Sequence, residues 1–370
     1  MELLVLGGTS FAGRHVVERA LADGHRVTVF NRGRTNPDLF PTVRSLHGDR
    51  TGGDYRALEG AGPFDAVVDM CAYIPRAVDE ALSAIGPDGL AGPYILISSV
   101  SAYAEPATNA ESPDDPEAER NAEAEPKPEA YGTALWKGFT EDAPLAPLPD
   151  GTDPASEEVT GEAYGPLKVL TEDAARRRLP DGVMVIRPGL IVGPHDPTDR
   201  FTYWVRRMAE GGEVLAPESP EIAETQVVDA ADLAEWIVAS ADTGRTGTYN
   251  AVAPAVPLAR ALDAALAAAG PEPADTEIVW VPWAFLETQG VAPWADLPAW
   301  VPAPMAPVLA ADGSRAAAAG LRSRPIEAVV ADLWNWDQAR PQEPLRAGMS
   351  RDREAELLRR FRRAAPPPGP

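Results

Sequence analysis

The first 33 residues, MELLVLGGTSFAGRHVVERALADGHRVTVFNRG (Met1–Gly33), decide the fold of this chain. The apolar run Glu2–Leu6 is typical of a buried parallel strand, and the glycine-rich turn GGTSFAG follows it directly. The next residues carry apolar side chains at helical spacing up to Gly24, and the β-branched stretch RVTVFN predicts a second strand. A strand, a tight turn, a helix and a strand within about 30 residues form a βαβ unit.

Strands and helices keep alternating after this unit. FDAVVDMCAY, PYILISSVSAY and GVMVIRPGLIVG predict strands, and AVDEALSAI and EAYGPLKVLTEDAARRR predict helices. This alternation predicts an α/β fold with a Rossmann-type doubly wound parallel sheet. We expect residues 1–187 plus 224–253 to form an NAD(P)-binding domain, and residues 188–223 plus 254–350 to form a smaller C-terminal substrate-binding domain. A charged helix and a disordered tail should follow at 351–370.

An acidic, proline-rich segment interrupts the alternation at residues 105–156. Its first part, EPATNAESPDDPEAERNAEAEPKPE, has no large apolar side chain, so it cannot bury enough surface to offset the entropy lost on ordering. We therefore expect an exposed insertion.

The charge and composition argue against several classes of protein. The 370 residues carry a formal net charge of −23, so the surface should repel nucleic acids and acidic membranes. The single cysteine, Cys71, cannot form an internal disulfide, and the four histidines lack metal-ligand spacing. We see neither a signal peptide nor an apolar stretch of about 20 residues. We therefore expect a cytoplasmic protein that binds no metal, nucleic acid or membrane.

The turn GGTSFAG has the glycines and the position of a phosphate-binding turn. Gly7 allows a sharp bend, and Gly13 allows the helix to pack closely on the strand. The helix N-terminus offers free N–H groups and a partial positive charge to a pyrophosphate. A purely structural turn is the alternative.

The end of the second strand bears on the choice between NAD and NADP. A carboxylate there accepts hydrogen bonds from the ribose 2′-OH, whereas an arginine pairs with a 2′-phosphate. This chain reads FNRGRT, with Asn31, Arg32, Arg34 and no acid, and Arg14 follows the last glycine of the turn. These arginines favour NADP, with NAD as the alternative; they could also be ordinary surface charges.

Tyr164 and Lys168 lie four residues apart on a predicted helix, so they share one face. A phenol has a reference pKa of about 10, and we expect the neighbouring ammonium to lower it enough for proton transfer at a carbonyl or alcohol. A third group should hold the substrate oxygen, and LISSVSAY supplies Ser98, Ser99 and Ser101 at a strand end. The alternative is a surface helix pair.

Two later segments bear on the substrate. Four tryptophans, Trp280, Trp283, Trp294 and Trp300, predict either a hydrophobic cap or an aromatic pocket wall. The stretch GPHDPTDRF holds His195, Asp199 and Arg200 on a loop that could face the substrate.

Together these segments resemble an extended short-chain dehydrogenase/reductase of the NAD-dependent epimerase/dehydratase family. The matching pieces fall in family order and span nearly the whole chain: GGTSFAG, HGDR, VVDMCAY, ISSVSAY, YGPLK, IRPGLIVGPHD, VVDAADLAEW and DGSRAAAAGLRSRP with LWNW. The turn is atypical, because Ser10 replaces the middle glycine of the family pattern.

The resemblance implies roles for individual residues. It assigns catalysis to Ser99, Tyr164 and Lys168, an adenine contact to Asp49, and the nicotinamide ribose to Lys168. The residues that we expect to bind the cofactor are Gly7, Thr9, Ser10, Phe11, Gly13, Asn31, Arg32, Asp49, Arg50, Cys71, Tyr164, Lys168 and Pro188.

Departures from the family pattern reduce the number of reactions that we expect from this chain. Val100 and Ser101 follow Ser99 where dehydratases carry an Asp-Glu pair, so we do not expect sugar dehydration. Thr225 replaces an arginine that grips the diphosphate in nucleotide-sugar epimerases, and a second such arginine is missing from APMAPVLAAD. We therefore expect an NAD(P)-dependent reductase or dehydrogenase that acts on the carbonyl or alcohol of a small molecule.

Two other functions remain open at this point. An epimerase would use the same catalytic residues and oxidise a sugar-like substrate transiently. A non-catalytic, cofactor-sensing or RNA-associated protein is the alternative of another class. Homodimers are common in the family that the chain resembles, so a homodimer is one possible assembly.

Overall fold

The computed structural model describes residues 1–104, 139–149, 153, 158–270, 275–302, 305, 309–341 and 343–364. Most of the predicted insertion at 105–156 and the end of the predicted tail, 365–370, lie outside the described residues. None of the helices in the described part of the chain is long and apolar enough to cross a bilayer.

The elements are numbered in chain order. The strands are β1 (Glu2–Leu6), β2 (Arg26–Asn31), β3 (Arg44–His47), β4 (Ala66–Asp69), β5 (Tyr94–Ile97), β6 (Val183–Pro188), β7 (Leu190–Val192), β8 (Glu213–Pro217), β9 (Glu224–Thr225), β10 (Val227–Asp229), β11 (Gly247–Ala251), β12 (Val256–Pro257) and β13 (Glu277–Val281). The helices are α1 (Phe11–Ala22), α2 (Pro75–Ile85), α3 (Gly161–Arg178), α4 (Arg200–Glu210), α5 (Ala230–Asp242), α6 (Leu258–Ala269), α7 (Trp283–Thr288), α8 (Ser314–Ala318), α9 (Ile326–Ala339) and α10 (Arg351–Ala364). Short 3₁₀ turns lie at Arg56–Leu58 and Val100–Ala102.

Seven strands form one sheet in the order β11-β6-β5-β4-β1-β2-β3, and every neighbouring pair in it is parallel. The strand order reverses between β1 and β4, which leaves a crevice at their carboxyl ends. The predicted α/β fold with a Rossmann-type doubly wound sheet is therefore confirmed.

Helices cover both faces of this sheet. Along β1, Leu3 and Val5 pack with side chains of α1 and α5, whereas Leu4 and Leu6 pack with side chains of α2 and α3 on the other face. All four are fully buried. Burial on both faces explains why β1 is a continuous apolar run in the sequence.

A second hydrophobic core lies in the C-terminal half of the chain. It combines buried side chains of β7, α4, β8, α6, β13, α7, α9 and α10. Trp300 is buried in it, and Trp283 packs on Trp300 with ring centroids 5.8 Å apart. Trp283 therefore belongs to the hydrophobic packing that was the first of the two alternatives, whereas Trp300 also lines a pocket. The predicted charged helix is α10, and the domain boundaries stay a prediction.

A buried ion pair fastens α3 to the sheet. Arg187 on β6 donates from Nε and Nη2 to the carboxylate of Glu172 on α3, at 2.9 and 2.6 Å. The Ser98 hydroxyl donates to the same carboxylate at 2.6 Å. The Arg187 and Glu172 side chains are only 2% and 0% exposed, and the other cation that pairs with Glu172 is Arg176, 3.2 Å away and 36% exposed. Loss of Arg187 would therefore remove the buried partner of a buried charge.

We expect Arg187→Met to lower the free energy of unfolding by about 3 kcal/mol, because it removes the buried, doubly hydrogen-bonded partner of Glu172 and leaves only the half-exposed Arg176 beside that charge. Arg260→Met is the matched control, since it breaks a pair with Glu327 in which the side chains are 51% and 50% exposed. The control should cost at most about 1 kcal/mol. Urea unfolding followed by circular dichroism measures both, and equal losses would contradict the role given to the buried pair.

Candidate active site

A cavity of about 1100 Å³ opens at the carboxyl ends of β1, β2, β4, β5 and β6. Its walls include every residue predicted for the cofactor or the reaction: Gly7, Thr9, Ser10, Phe11, Gly13, Asn31, Arg32, Asp49, Arg50, Cys71, Ser99, Tyr164, Lys168 and Pro188. The fold therefore brings residues from widely separated segments of the sequence into one space.

The turn between β1 and α1 has a shape that fits the diphosphate of NAD(P). Gly7 and Gly8 have φ angles of 107° and 93°, which glycine adopts without strain. A Cβ on Gly13 would lie 2.9 Å from the backbone nitrogen of Gly8, so only glycine lets α1 come this close to the turn. Ser10 makes no side-chain capping bond to α1, which leaves the first N–H groups of the helix available to an anion.

Two arginines without partners follow β2. Asn31 ends the strand, and its Oδ1 accepts a hydrogen bond from the Gly33 N–H at 2.7 Å. Arg32 and Arg34 line the cavity and are exposed. Within the described ranges, neither side chain forms a hydrogen bond or an ion pair. Both guanidinium groups are therefore available to a bound anion.

Arg14 does not approach this place, contrary to our expectation. Its Nε donates to Glu18 at 2.7 Å, and its Nη1 lies 3.3 Å from Nδ1 of His195. His195 in turn packs edge-on against Trp336, with ring centroids 5.2 Å apart. Burial and the Arg14 charge lower the pKa of His195 to about 4. The histidine therefore belongs to a packing contact between α1 and α9, outside the walls of the cavity.

Arg50 has partners of its own within the protein. Its two Nη atoms donate to the carboxylate of Asp69 at 2.5 and 2.7 Å, and Nη2 also donates to the Ala77 carbonyl at 3.0 Å. Asp69 is fully buried and accepts a further bond from the Tyr94 hydroxyl. Arg50 Nη1 also lies 3.2 Å from Sγ of Cys71. The arginine therefore stabilises the end of β4 next to the cavity.

Ser99 and Tyr164 both line the cavity. Ser99 precedes the 3₁₀ turn Val100–Ala102, where its Oγ accepts a hydrogen bond from the Ser101 N–H and donates one to the Ser101 hydroxyl, each at 3.1 Å. The helix α3, with Tyr164 near its start, packs on this turn. Gly165 permits this contact, because a Cβ there would collide with the carbonyl oxygen of Ser101. The close approach of α3 to the turn after β5 therefore depends on the glycine of YGPLK.

Lys168 is buried beneath the two aromatic rings of Tyr73 and Tyr164. Its Nζ donates to the carbonyl oxygens of Ala72 and Ile97, each at 2.8 Å. Nζ lies 4.9 Å from the centroid of the Tyr73 ring and 5.9 Å from that of Tyr164. Since an ammonium has three donors, one N–H remains for a ligand. Burial lowers the pKa of Lys168 to about 8.

The structure corrects our expectation for Tyr164. Burial raises the pKa of its phenol above the usual value, and the opposing influences are the hydrogen bond with Ser99 and the charge of Arg200. The Lys168 ammonium lies 5.9 Å from the centroid of the Tyr164 ring and donates to two backbone carbonyls rather than to the phenol. Tyr164 is therefore a neutral phenol at pH 7, suited to donate a proton.

The sequence analysis overlooked two further wall residues, Tyr73 and Asp196. Tyr73 closes the segment VVDMCAY after β4, and Asp196 lies in GPHDPTDRF after β7. Both follow the carboxyl end of a strand, where ligands bind in this class of fold, and that position could have identified them.

A second pocket of about 730 Å³ shares the wall residues Gln226 and Leu309 with the cavity. Between Glu224 and Gln226, which both line it, Thr225 is fully buried, and its Oγ1 donates to the Ala299 carbonyl at 2.8 Å. The cavity and the second pocket therefore adjoin at Gln226 and Leu309, and Thr225 is not part of the wall of either.

We expect the free energy of unfolding to rise by about 2 kcal/mol between pH 7 and 9.5 because of Lys168. Its pKa is lowered to about 8 in the folded protein, from 10.5. The unfolded chain therefore binds more protons across this window, and stability increases with pH. Urea unfolding of the wild type and of Lys168→Met at both pH values measures the difference. Parallel curves for the two proteins would contradict the lowered pKa.

Comparison with known proteins gave one family match. Residues 3–134 match the NAD dependent epimerase/dehydratase family. No curated protein matched the chain significantly.

Solved structures show the same architecture at low sequence identity. The enzyme WbmH of Bordetella bronchiseptica, solved with NAD+, is 18% identical over 91% of this chain and 98% of its own, with a TM-score of 0.61. UDP-glucose 4-epimerase of Thermotoga maritima, solved with UDP-glucose, is 16% identical over 91% and 99%, with a TM-score of 0.61. UDP-glucuronic acid 4-epimerase of Bacillus cereus, solved with NAD, is 14% identical over 91% and 99%, with a TM-score of 0.60. These likenesses show a shared fold, and the family match over residues 3–134 confirms the resemblance drawn from the sequence.

Proposed function

We propose that this protein is an NADP-preferring oxidoreductase of the short-chain dehydrogenase/reductase type, acting on the carbonyl or alcohol of a small molecule. The observation that carries this proposal is that Ser99, Tyr164 and Lys168 line the same cavity as the glycine turn. A tyrosine and a serine side by side can bind one substrate oxygen and move one proton to or from it.

The reaction divides between the cofactor and three side chains. NADPH, when bound, supplies the hydride to the substrate carbon. Tyr164 donates its phenolic proton to the carbonyl oxygen and regains a proton from solvent, and Ser99 donates a hydrogen bond to the same oxygen. The raised pKa of Tyr164 keeps the phenol protonated at neutral pH, which favours reduction. Lys168 uses its remaining N–H to hold a ribose hydroxyl of the cofactor.

The preference for NADP rests on the residues after β2. Arg32 and Arg34 face the cavity without partners, and this segment has no carboxylate to accept bonds from a ribose 2′-OH. A guanidinium forms charge-assisted, often bidentate, hydrogen bonds with a phosphate. Bound NAD in the solved relatives keeps NAD as the alternative cofactor.

An epimerase is the second candidate function, and the solved relatives favour it. Two of them are 4-epimerases of UDP-sugars. Against a nucleotide-sugar substrate, the side chain at Thr225 is buried and already bonded to Ala299, so it cannot hold a diphosphate. An epimerase recycles its own hydride, so NAD retained by the purified protein through dialysis would favour this candidate.

We expect Tyr164→Phe to reduce carbonyl-dependent NADPH oxidation by a factor of about 10² or more, because the substrate oxygen loses its proton donor. Lys168→Met should also abolish turnover. Spectrophotometric assays with a panel of carbonyl compounds measure the rates, and circular dichroism checks the fold. Tyr249→Phe is the control, since it removes an exposed hydroxyl that bonds Thr246 outside the cavity. Wild-type rates in Tyr164→Phe would exclude the mechanism.

We expect Arg32→Ser to weaken NADPH binding about tenfold and to change NADH binding less than about twofold, because only NADPH carries the 2′-phosphate. Fluorescence titration of the reduced cofactors gives both dissociation constants. Arg322→Ser, which removes an exposed arginine outside the cavity, should change neither. A wild-type protein that binds NADH more tightly than NADPH would overturn the NADP preference.

A further inference from the structure

The wall of the cavity contributed by the C-terminal half holds a cation without a protein partner. Arg200, the first residue of α4, lines the cavity, and its guanidinium carbon lies 5.4 Å from the centroid of the Trp294 ring. Within the residues that the structure describes, its side chain makes no hydrogen bond and no ion pair. Stacking on an indole fixes the guanidinium plane and leaves its N–H edge free.

The other arginines of the same helix behave differently. Arg206 donates to Asp337 at 3.0 and 2.7 Å, and Arg207 donates to Glu354 at 3.0 and 2.8 Å. With 56 acidic against 33 basic residues, the chain has carboxylates in excess. An arginine that faces a cavity and is stacked but unpaired therefore has the features of a ligand-binding group.

Asp196, on the loop before α4, gives a second and independent sign of a ligand. Its side chain is 3% exposed, and its Oδ1 accepts bonds from the N–H and the hydroxyl of Thr198, at 2.8 and 2.7 Å. Its Oδ2 has no hydrogen-bond partner, although the residue lines the cavity. A buried carboxylate oxygen without a donor is costly, and a hydroxyl group of a ligand would satisfy it.

We propose that Arg200, stacked on Trp294, binds a carboxylate of the substrate, while Asp196 accepts a hydrogen bond from a neighbouring hydroxyl. The substrate is then a hydroxy acid or its oxo-acid counterpart. This assignment rests on the proposed function and names its substrate class.

A carboxylate fits this subsite better than a phosphate does. One guanidinium matches one carboxylate in a planar, bidentate pair. Arg200 and Tyr164 line the same cavity, and the charge of Arg200 opposes the rise in the pKa of the phenol, so the bound acid group would share the cavity with the reacting carbon. The charge of Arg200 also acts on Asp196, whose carboxylate would repel a dianion placed beside it.

The test uses the full-length protein with saturating NADPH and the arginine reagent phenylglyoxal. Peptide mass mapping measures the rate of modification at Arg200, with the paired Arg206 and Arg207 as internal controls. The probes are sodium glycolate, ethylene glycol and inorganic phosphate, each at about 100 mM and at matched ionic strength. Glycolate carries a carboxylate next to a hydroxyl, and ethylene glycol replaces that carboxylate by a neutral group.

We expect Arg200 to react fastest of the three arginines, and glycolate to slow its modification at least about threefold while ethylene glycol does not. Asp196→Asn should reduce the protection by glycolate. It should not change the protection by sodium acetate, a fourth probe at the same concentration that has the carboxylate but no hydroxyl. Equal rates with and without glycolate, or stronger protection by phosphate, would overturn the carboxylate subsite.

The test of the Arg200 subsite and the test of the proposed reductase can fail independently of each other. Protection of Arg200 without any carbonyl-dependent NADPH oxidation would support the subsite and count against the reductase. Conversely, turnover of oxo acids with the same kcat/KM in Arg200→Gln and wild type would support the reductase and refute the subsite.

Discussion

The ammonium of Lys168 determines the arrangement of the site. Its bonds to two carbonyl oxygens join α3 to Ala72, which follows β4, and to Ile97, the last residue of β5. Backbone carbonyls at these strand ends have no further strand to pair with, so the ammonium supplies their donor. Four residues before it on the same helix, Tyr164 is thereby held against Ser99. Four residues after it, Glu172 anchors the helix to β6 through Arg187. One helix therefore carries both the phenol that we propose as the proton donor and the bonds that fix its position.

The parts of this structure that depend on local sequence were predictable. The apolar run of β1, the glycines of the turn and the Tyr-x-x-x-Lys spacing each define their own backbone or face, and the fold places all predicted site residues in one cavity. The electrostatics were not predictable in the same way. The pKa of Tyr164 depends on burial and on Arg200, which reaches the cavity from the second hydrophobic core. The spacing of residues along the sequence does not show that Arg200 and Tyr164 line the same cavity.

Charge partners were the least predictable feature, because a sequence does not show which carboxylate an arginine will meet. Arg14 pairs with Glu18 along its own helix, and Arg50 pairs with Asp69 from a neighbouring strand. In both cases a nearby acid takes the side chain that we had assigned to the cofactor site. In a chain with this excess of acids, pairing is the expected fate of an arginine, and Arg32 and Arg200 matter because they lack it.

Arg32 and Arg200, neither of which pairs with an acid among the described residues, lie at different parts of one cavity, so the cavity has positive charge at two separate places. Arg32 follows β2, on the side of the sheet where the phosphate turn lies, and Arg200 lies beyond Tyr164 on the side of the second core. On the proposed function, a cofactor and a substrate that fill this cavity together would carry negative charge near Arg32 and near Arg200. The reacting oxygen of the substrate would lie between those two charges. A phosphorylated dinucleotide and a small acid satisfy that requirement together, and the neutral phenol of Tyr164 stands where a proton is needed when the oxygen between them is reduced.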